Sequence, residues 1–156
     1  MELAEAKLLS LELMLSSKAA YLTTIDTNGY PITRAMFNLR NEEQFPEFKD
    51  FFNGLSNKFE IYISTNTSSS KTEHIKNNPK ICVYYCDPEE FKGVMFGGKV
   101  EVIADMKVKQ NIWLDWWTRY YFKGLEDPDY TLLRLNPKNA QFYYKLQKVQ
   151  FNPGDE

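Results

Sequence analysis

The chain has 156 residues, 43% hydrophobic and 26% charged. A domain near that length removes ~70% of its unfolded surface from water, so one domain with a sizeable core needs no metal or disulfide staple. The formal net charge of -2 offers no strong field to nucleic-acid phosphates or anionic lipids, which argues against both as partners.

The opening MELAEAKLLSLELMLSSK has no basic start, long apolar block or small-residue cleavage site, so export is not expected. Every apolar run is broken well before the roughly 18 residues of a membrane span. The expectation is a soluble, cytoplasmic protein. Residues 2 to about 16 place Leu3, Ala6, Leu9, Leu13 and Met14 near one face at 3.6 periodicity, the pattern of an amphipathic helix. AAYLTTID then runs through Thr27-Asn28-Gly29 into YPITRAMFNLR. Asn-Gly between two β-rich runs is a strong hairpin signal because both residues tolerate positive φ, so strands one and two are expected to pair antiparallel.

NEEQFPEFKDFFNGLSNK suits a short helix ending near Gly54 and packed on the sheet. FEIYIST alternates Phe59, Ile61 and Ile63 with Glu60, Tyr62 and Ser64, as a strand with one covered face would. NTSSSKTEHIKNN reads as a loop entering a helix, on whose surface His74, the only histidine, is expected. KICVYYCD follows as a strand in which Cys82 and Cys86 lie too far apart to bond each other, so both read as reduced thiols. KGVMFGGKVEVIA is a long strand interrupted by Gly97-Gly98, where a bend, a bulge or a close approach is expected. Asp105 is placed to cap a helix over MKVKQNIWLDWWTRYYFKG, ended by Gly124, and the tail reads as two strands around Asn136-Pro137. At least six strands with three helical segments predict a mainly β fold, an antiparallel barrel with peripheral helices, in a single domain.

Two segments carry residues suited to a phosphate. Arg34 interrupts the otherwise neutral ITRAMFNL, and STNTSSSK sets Ser64, Thr65, Ser68, Ser69, Ser70 and Lys71 where a strand turns into a helix N-terminus. Each alone also suits a solvated strand arginine or an ordinary helix cap. Trp113, Trp116, Trp117, Tyr120 and Tyr121 recur at helical spacing, either as a wall for a planar ligand or as a packed helix face. No GxGxxG, Walker A, GxSxG or HExxH motif occurs. Any redox chemistry would therefore rest on a bound organic cofactor.

Taken together, AAYLTTIDTNGYPITRAMFN, IYISTNTSSSKTEHIKNNPKICVYYCDP, VMFGGKVEVIAD, IWLDWW and GLEDPDYTLLRLNP resemble the pyridoxamine-5′-phosphate-oxidase-like FMN-binding split barrels, most closely their general stress protein branch. The resemblance runs from about Lys18 to Tyr143. It implies FMN as cofactor, with Arg34 and Ser70-Lys71 at the phosphate and Ser64 and Thr65 at the flavin. Ala35, Met36, Phe37 and Asn38 would run along the isoalloxazine, and Trp113 would reach a flavin of its own or the partner chain. It also implies a homodimer with FMN at the interface, to which the 15% aromatic content adds support.

The departures bear on activity. Gly93 stands where the oxidases carry a flavin-contacting glutamine, Ser70 where they carry an arginine, and Tyr143 where they carry a tryptophan. The closing YKLQKVQFNPGDE has no arginine or histidine to grip a pyridoxal substrate. The resemblance therefore implies an FMN-dependent oxidoreductase of unknown substrate linked to general stress, with NAD(P)H or another small molecule as redox partner, and not a pyridoxamine-phosphate oxidase. Alternatives are a flavin-binding or flavin-buffering stress protein without turnover, and a fold that has lost its flavin and survives as an interaction module.

Overall fold

In the computed structural model, which describes residues Met1–Asp155, the opening segment forms helix α1 (Leu3–Ser16). Its buried face holds Ala6, Leu13 and Met14 as the periodicity predicts, but Leu3 is exposed and Ser10 takes its place in the interior. The Ser10 hydroxyl donates to the Ala6 carbonyl at 2.7 Å, which satisfies a polar group that burial would otherwise penalise.

Strands β1 (Ala19–Ile25) and β2 (Pro31–Phe37) pair antiparallel, with Leu22 opposite Arg34 and Ala19 opposite Phe37. The turn is wider than the Asn-Gly signal implies. Only Gly29 has a positive φ (+84°), and the Asp26 carboxylate accepts from the amides of Asn28 and Tyr30, both at 2.9 Å. The Asp26 amide donates to the Tyr30 carbonyl at 2.9 Å, leaving a loop between them in which glycine alone must be left-handed.

A single 3-10 turn (Pro46–Phe48) leads into α2 (Lys49–Asn53), then β3 (Ile61–Asn66), α3 (Ser70–Asn77), β4 (Lys80–Asp87) and β5 (Lys92–Val102). After α4 (Met106–Asn111) and two more 3-10 turns come β6 (Tyr130–Leu135), β7 (Asn139–Tyr144) and β8 (Gln147–Phe151). The sheet runs β2-β1-β4-β5-β6-β3, with β7 on β5 and β8 on β7, and every pairing is antiparallel. Strand β5 pairs with β7 through Gly93–Gly97 and with β6 through Val100–Val102. The change of partner falls at Gly97-Gly98, where a Cβ on Gly97 would stand 2.7 Å from Asn139 Oδ1. The two ends of the strand path, β2 and β3, share no ladder, so the barrel is split there.

Two apolar clusters flank β3 and β6. Ile61, Ile63, Leu133 and Leu135 point into the barrel, while Tyr62, Tyr130 and Leu132 join Phe48, Phe52 and Trp117 on the outside. The alternation in FEIYIST therefore does not separate a covered face from a wet one, because a second aromatic cluster covers the other side.

Two expectations are corrected. The helix expected over residues 106–123 stops at Asn111, although Asp105 caps it by accepting from the Lys107 amide at 2.9 Å. Ile112 and Leu114 are both buried, and residues two apart share a covered side only on extended backbone, which Leu114 adopts. The tail contains a third strand, β8. Its hairpin turns at Lys145 and Leu146, whose φ values of 50° and 62° are normally announced by Asn or Gly, so the turn left no signal.

Candidate functional site

A cleft of about 570 Å³ opens along the split between β2 and β3. Ala35, Met36 and Phe37 of β2 form one wall, and Ser64, Thr65 and Asn66 of β3 with Lys71 of α3 form the other. Trp117, Tyr120 and Tyr121 close a third side, and Lys18, Ala19 and Gln44 complete it. Because β2 pairs only with β1, its outer edge presents unpaired backbone groups to this space.

Arg34 flanks the Lys71 end. It projects from the inward side of β2, where its Nη1 donates to Thr24 Oγ1 at 2.7 Å, to the Ile32 carbonyl at 2.9 Å and more weakly to the Leu22 carbonyl at 3.5 Å. Those acceptors occupy one arm of the guanidinium. Nε and Nη2 have no protein acceptor among the described residues, which leaves the edge that binds an oxyanion in bidentate fashion.

Burial lowers the proton affinity of the Arg34 guanidinium. The Lys71 ammonium is lowered first by burial and then by the positive charge of Arg34. Neither cation pairs with a carboxylate among the described residues. Two neighbouring, partly desolvated cations without a counter-ion repel each other, and an anion between them removes that cost.

The loop between β3 and α3 is held from behind by the segment entering β6. Asp129 accepts from the Ser68 amide (2.8 Å) and Asn66 Nδ2 (2.7 Å) through its carboxylate, and from the Thr67 amide (2.7 Å) through its carbonyl. The side-chain bond from Asn66, then the Ser68 amide, hold the Asp129 carboxyl below the usual carboxylate range. So pinned, the loop delivers α3 with its first turn beside Lys71; the Thr72 amide there donates to the Ser69 carbonyl at 3.2 Å, and the amides of Ser70 and Lys71 ahead of it have no partner within the helix.

Six of the residues singled out in the sequence, Ala35, Met36, Phe37, Ser64, Thr65 and Lys71, meet in the cleft. Others stand elsewhere. The buried Asn38 spends its amide on the Met14 and Ser17 carbonyls (2.8 and 2.7 Å), tying α1 to the end of β2. Ser69 precedes α3 with its hydroxyl 3.2 Å from Thr72 Oγ1, and Ser70 opens the helix without lining the cleft. Trp113 packs edge-on against Trp117 and Tyr130, away from the cleft of its own chain. Tyr143 lies opposite Gly93 on β7, also outside that cleft and partly exposed.

Within the aromatic segment, Trp117, Tyr120 and Tyr121 form the wall in place of Trp113, a choice that helical spacing could not make once the helix had broken. Lys18, Gln44 and Asn66 carried no signal of their own. Gly93 leaves no vacancy, because a Cβ there would overlap the Tyr84 phenol. His74 is not a bystander on the surface: it is half-buried, with Nδ1 2.9 Å from Thr24 Oγ1.

These features define a split-barrel protein with a cleft at its open seam and two cations, unpaired among the described residues, toward one end. Residues 10–144 match the family model for pyridoxamine 5′-phosphate oxidase, and the chain belongs to that family. Among solved structures, a Clostridium acetobutylicum protein related to general stress protein 26 of Bacillus subtilis aligns with a TM-score of 0.75 at 32% identity, over 95% of this chain and 94% of its own. General stress protein 26 from Bacillus anthracis aligns at 0.66 and 20% identity, over 97% and 100%. A heme-binding protein from Mycobacterium smegmatis aligns at 0.65 and 13% identity, over 92% and 57%, a likeness of fold alone. None of the curated proteins matches the chain. Among the described residues, no helix is long and apolar enough to cross a membrane.

Proposed function

We propose that the cleft binds FMN and that the protein is an FMN-dependent oxidoreductase linked to stress physiology. The observation that carries this reading is the pair Arg34 and Lys71, two cations without a counter-ion at one end of a cleft whose other walls suit a planar ring. The donor set fits the cofactor. The free edge of Arg34, the Lys71 ammonium and the Ser70 and Lys71 amides that open α3 suit a phosphate dianion. The unpaired edge of β2 at Ala35–Phe37 and the exposed ring of Tyr120, backed by the buried Trp117, suit an isoalloxazine. Bound FMN would supply hydride chemistry at its ring, with NAD(P)H as the electron donor to test first. The protein's own part is to bind and orient the flavin.

A second copy completes this reading. Across β2, β1, β4, β5 and β7 the outer sheet face carries Ala35, Tyr21, Tyr84, Met95 and Gln141 in register, a largely apolar row that a homodimer would cover. A flavin-binding stress protein without turnover is the second reading. It is favoured by the cleft's titratable groups, which are Lys18, Lys71, Tyr120 and Tyr121, with no carboxylate or histidine.

Titration calorimetry with FMN and riboflavin tests the site. Arg34→Ala should weaken FMN roughly 10- to 150-fold, the loss of ~1.5–3 kcal/mol from a charge-assisted pair, while riboflavin binding hardly changes. FMN binding within twofold of the parent would withdraw the phosphate assignment. Reduction of the bound flavin by NADH or NADPH no faster than that of free FMN would favour the second reading.

A further inference from the structure

His74, the chain's only histidine, lies on α3 about one turn beyond Lys71 and does not line the cleft, yet it is bonded into the support of Arg34. Thr24 is fully buried, so its hydroxyl must find partners inside the protein. A guanidinium only donates, so in the 2.7 Å contact with Arg34 Nη1 the Thr24 oxygen is the acceptor. The hydroxyl proton is then directed to His74 Nδ1, 2.9 Å away on the other side. That bond requires a bare Nδ1 and places the ring proton on Nε2.

The chain of bonds therefore has one direction: Arg34 donates to Thr24, and Thr24 donates to His74. Were Nδ1 to carry a proton, Thr24 would face two donors with its own proton unplaced, and the rotor that holds the Arg34 arm would have to turn. We infer that His74 is a positioning residue for ligand phosphate, acting through Thr24 to fix the Arg34 guanidinium so that Nε and Nη2 face the cleft end. The inference rests on the reading of that end as a phosphate site.

The experiment compares FMN and riboflavin affinity in the wild type, His74→Phe, His74→Asn and Arg34→Ala, and in Arg34→Ala combined with His74→Phe. His74 is half-exposed, so the single variants should fold. His74→Phe should weaken FMN roughly 3- to 10-fold and leave riboflavin unchanged. His74→Asn, which offers a side-chain acceptor from the same position, should recover most of the loss. In the Arg34→Ala background His74→Phe should cost nothing further.

An unchanged FMN-to-riboflavin ratio in His74→Phe, alongside a lowered ratio in Arg34→Ala, would overturn the inference and leave the phosphate site standing. So would a His74→Phe effect that persists without Arg34. If the wild type does not prefer FMN to riboflavin, the phosphate reading itself fails. Nitrogen NMR of the ligand-free protein then still decides the bonding. Nε2–H in the wild type, with altered Arg34 Nε mobility in His74→Phe, supports the positioning role, and Nδ1–H overturns it.

Discussion

Lys71 combines burial with a cationic neighbour, and both lower its proton affinity below the ordinary lysine value of 10.5. Binding a dianion favours the protonated ammonium, so a protein that uses Lys71 for this loses affinity as the lysine deprotonates. The ratio of FMN to riboflavin affinity should therefore be flat near neutral pH and fall as pH rises, beginning below the ordinary lysine range. Lys71→Met should lower the ratio at neutral pH and flatten its pH profile. Calorimetry on both flavins at each pH reads this directly, because ionisation of the ring common to both cancels. A wild-type profile no steeper than that of Lys71→Met would remove Lys71 from the site. Lys138→Ala, near the turn at Pro137 and outside this cleft, serves as the charge-matched control and should leave the ratio unchanged.

At the scale of elements, strain is concentrated in two hairpin turns, at Phe91 (φ 49°) between β4 and β5 and at Lys145-Leu146 between β7 and β8. Lys145 and Leu146 both occupy the left-handed region between β7 and β8, which costs side-chain-bearing residues about 1 kcal/mol each, and Leu146 is almost fully exposed. Replacing the pair by Asn-Gly should raise stability by about 1 kcal/mol, or ~3 °C in a thermal melt for a domain of this size. An unchanged or lowered midpoint would mean that the turn makes contacts in solution that outweigh its strain. The β1–β2 hairpin has no such reserve, because glycine already fills its one left-handed position and Asp26 holds the turn from within.

At the scale of the whole molecule, the outer sheet face decides whether one chain is sufficient. Tyr21 and Tyr84 stand opposite each other on neighbouring strands, 37% and 41% exposed, at the centre of the largely apolar row that a second copy would cover. A stable dimer at micromolar concentration is expected. Tyr84→Glu should raise its dissociation constant at least ~10-fold, since aromatic anchors at the centre of an interface each contribute more than ~1.4 kcal/mol. Equilibrium sedimentation measures both. A folded wild-type monomer with flavin bound would show that the second copy is not needed.

The sequence alone was enough for the antiparallel barrel with its outlying helices, because alternation of two and periodicity near 3.6 are local signals. It was also enough to bring Arg34 and Lys71 under suspicion, since a cation in a neutral strand and another at a helix start stand out in one dimension. It could not choose among the five aromatic rings at 113–121. That choice depends on where the chain leaves helical geometry to bury Ile112 and Leu114 together. Nor could it show that Asn38 serves the α1 junction, that Tyr84 fills the space beside Gly93, or that His74 reaches Thr24. Each of those is a contact between residues 9 to 50 positions apart, and such a contact exists only once the strands are in register.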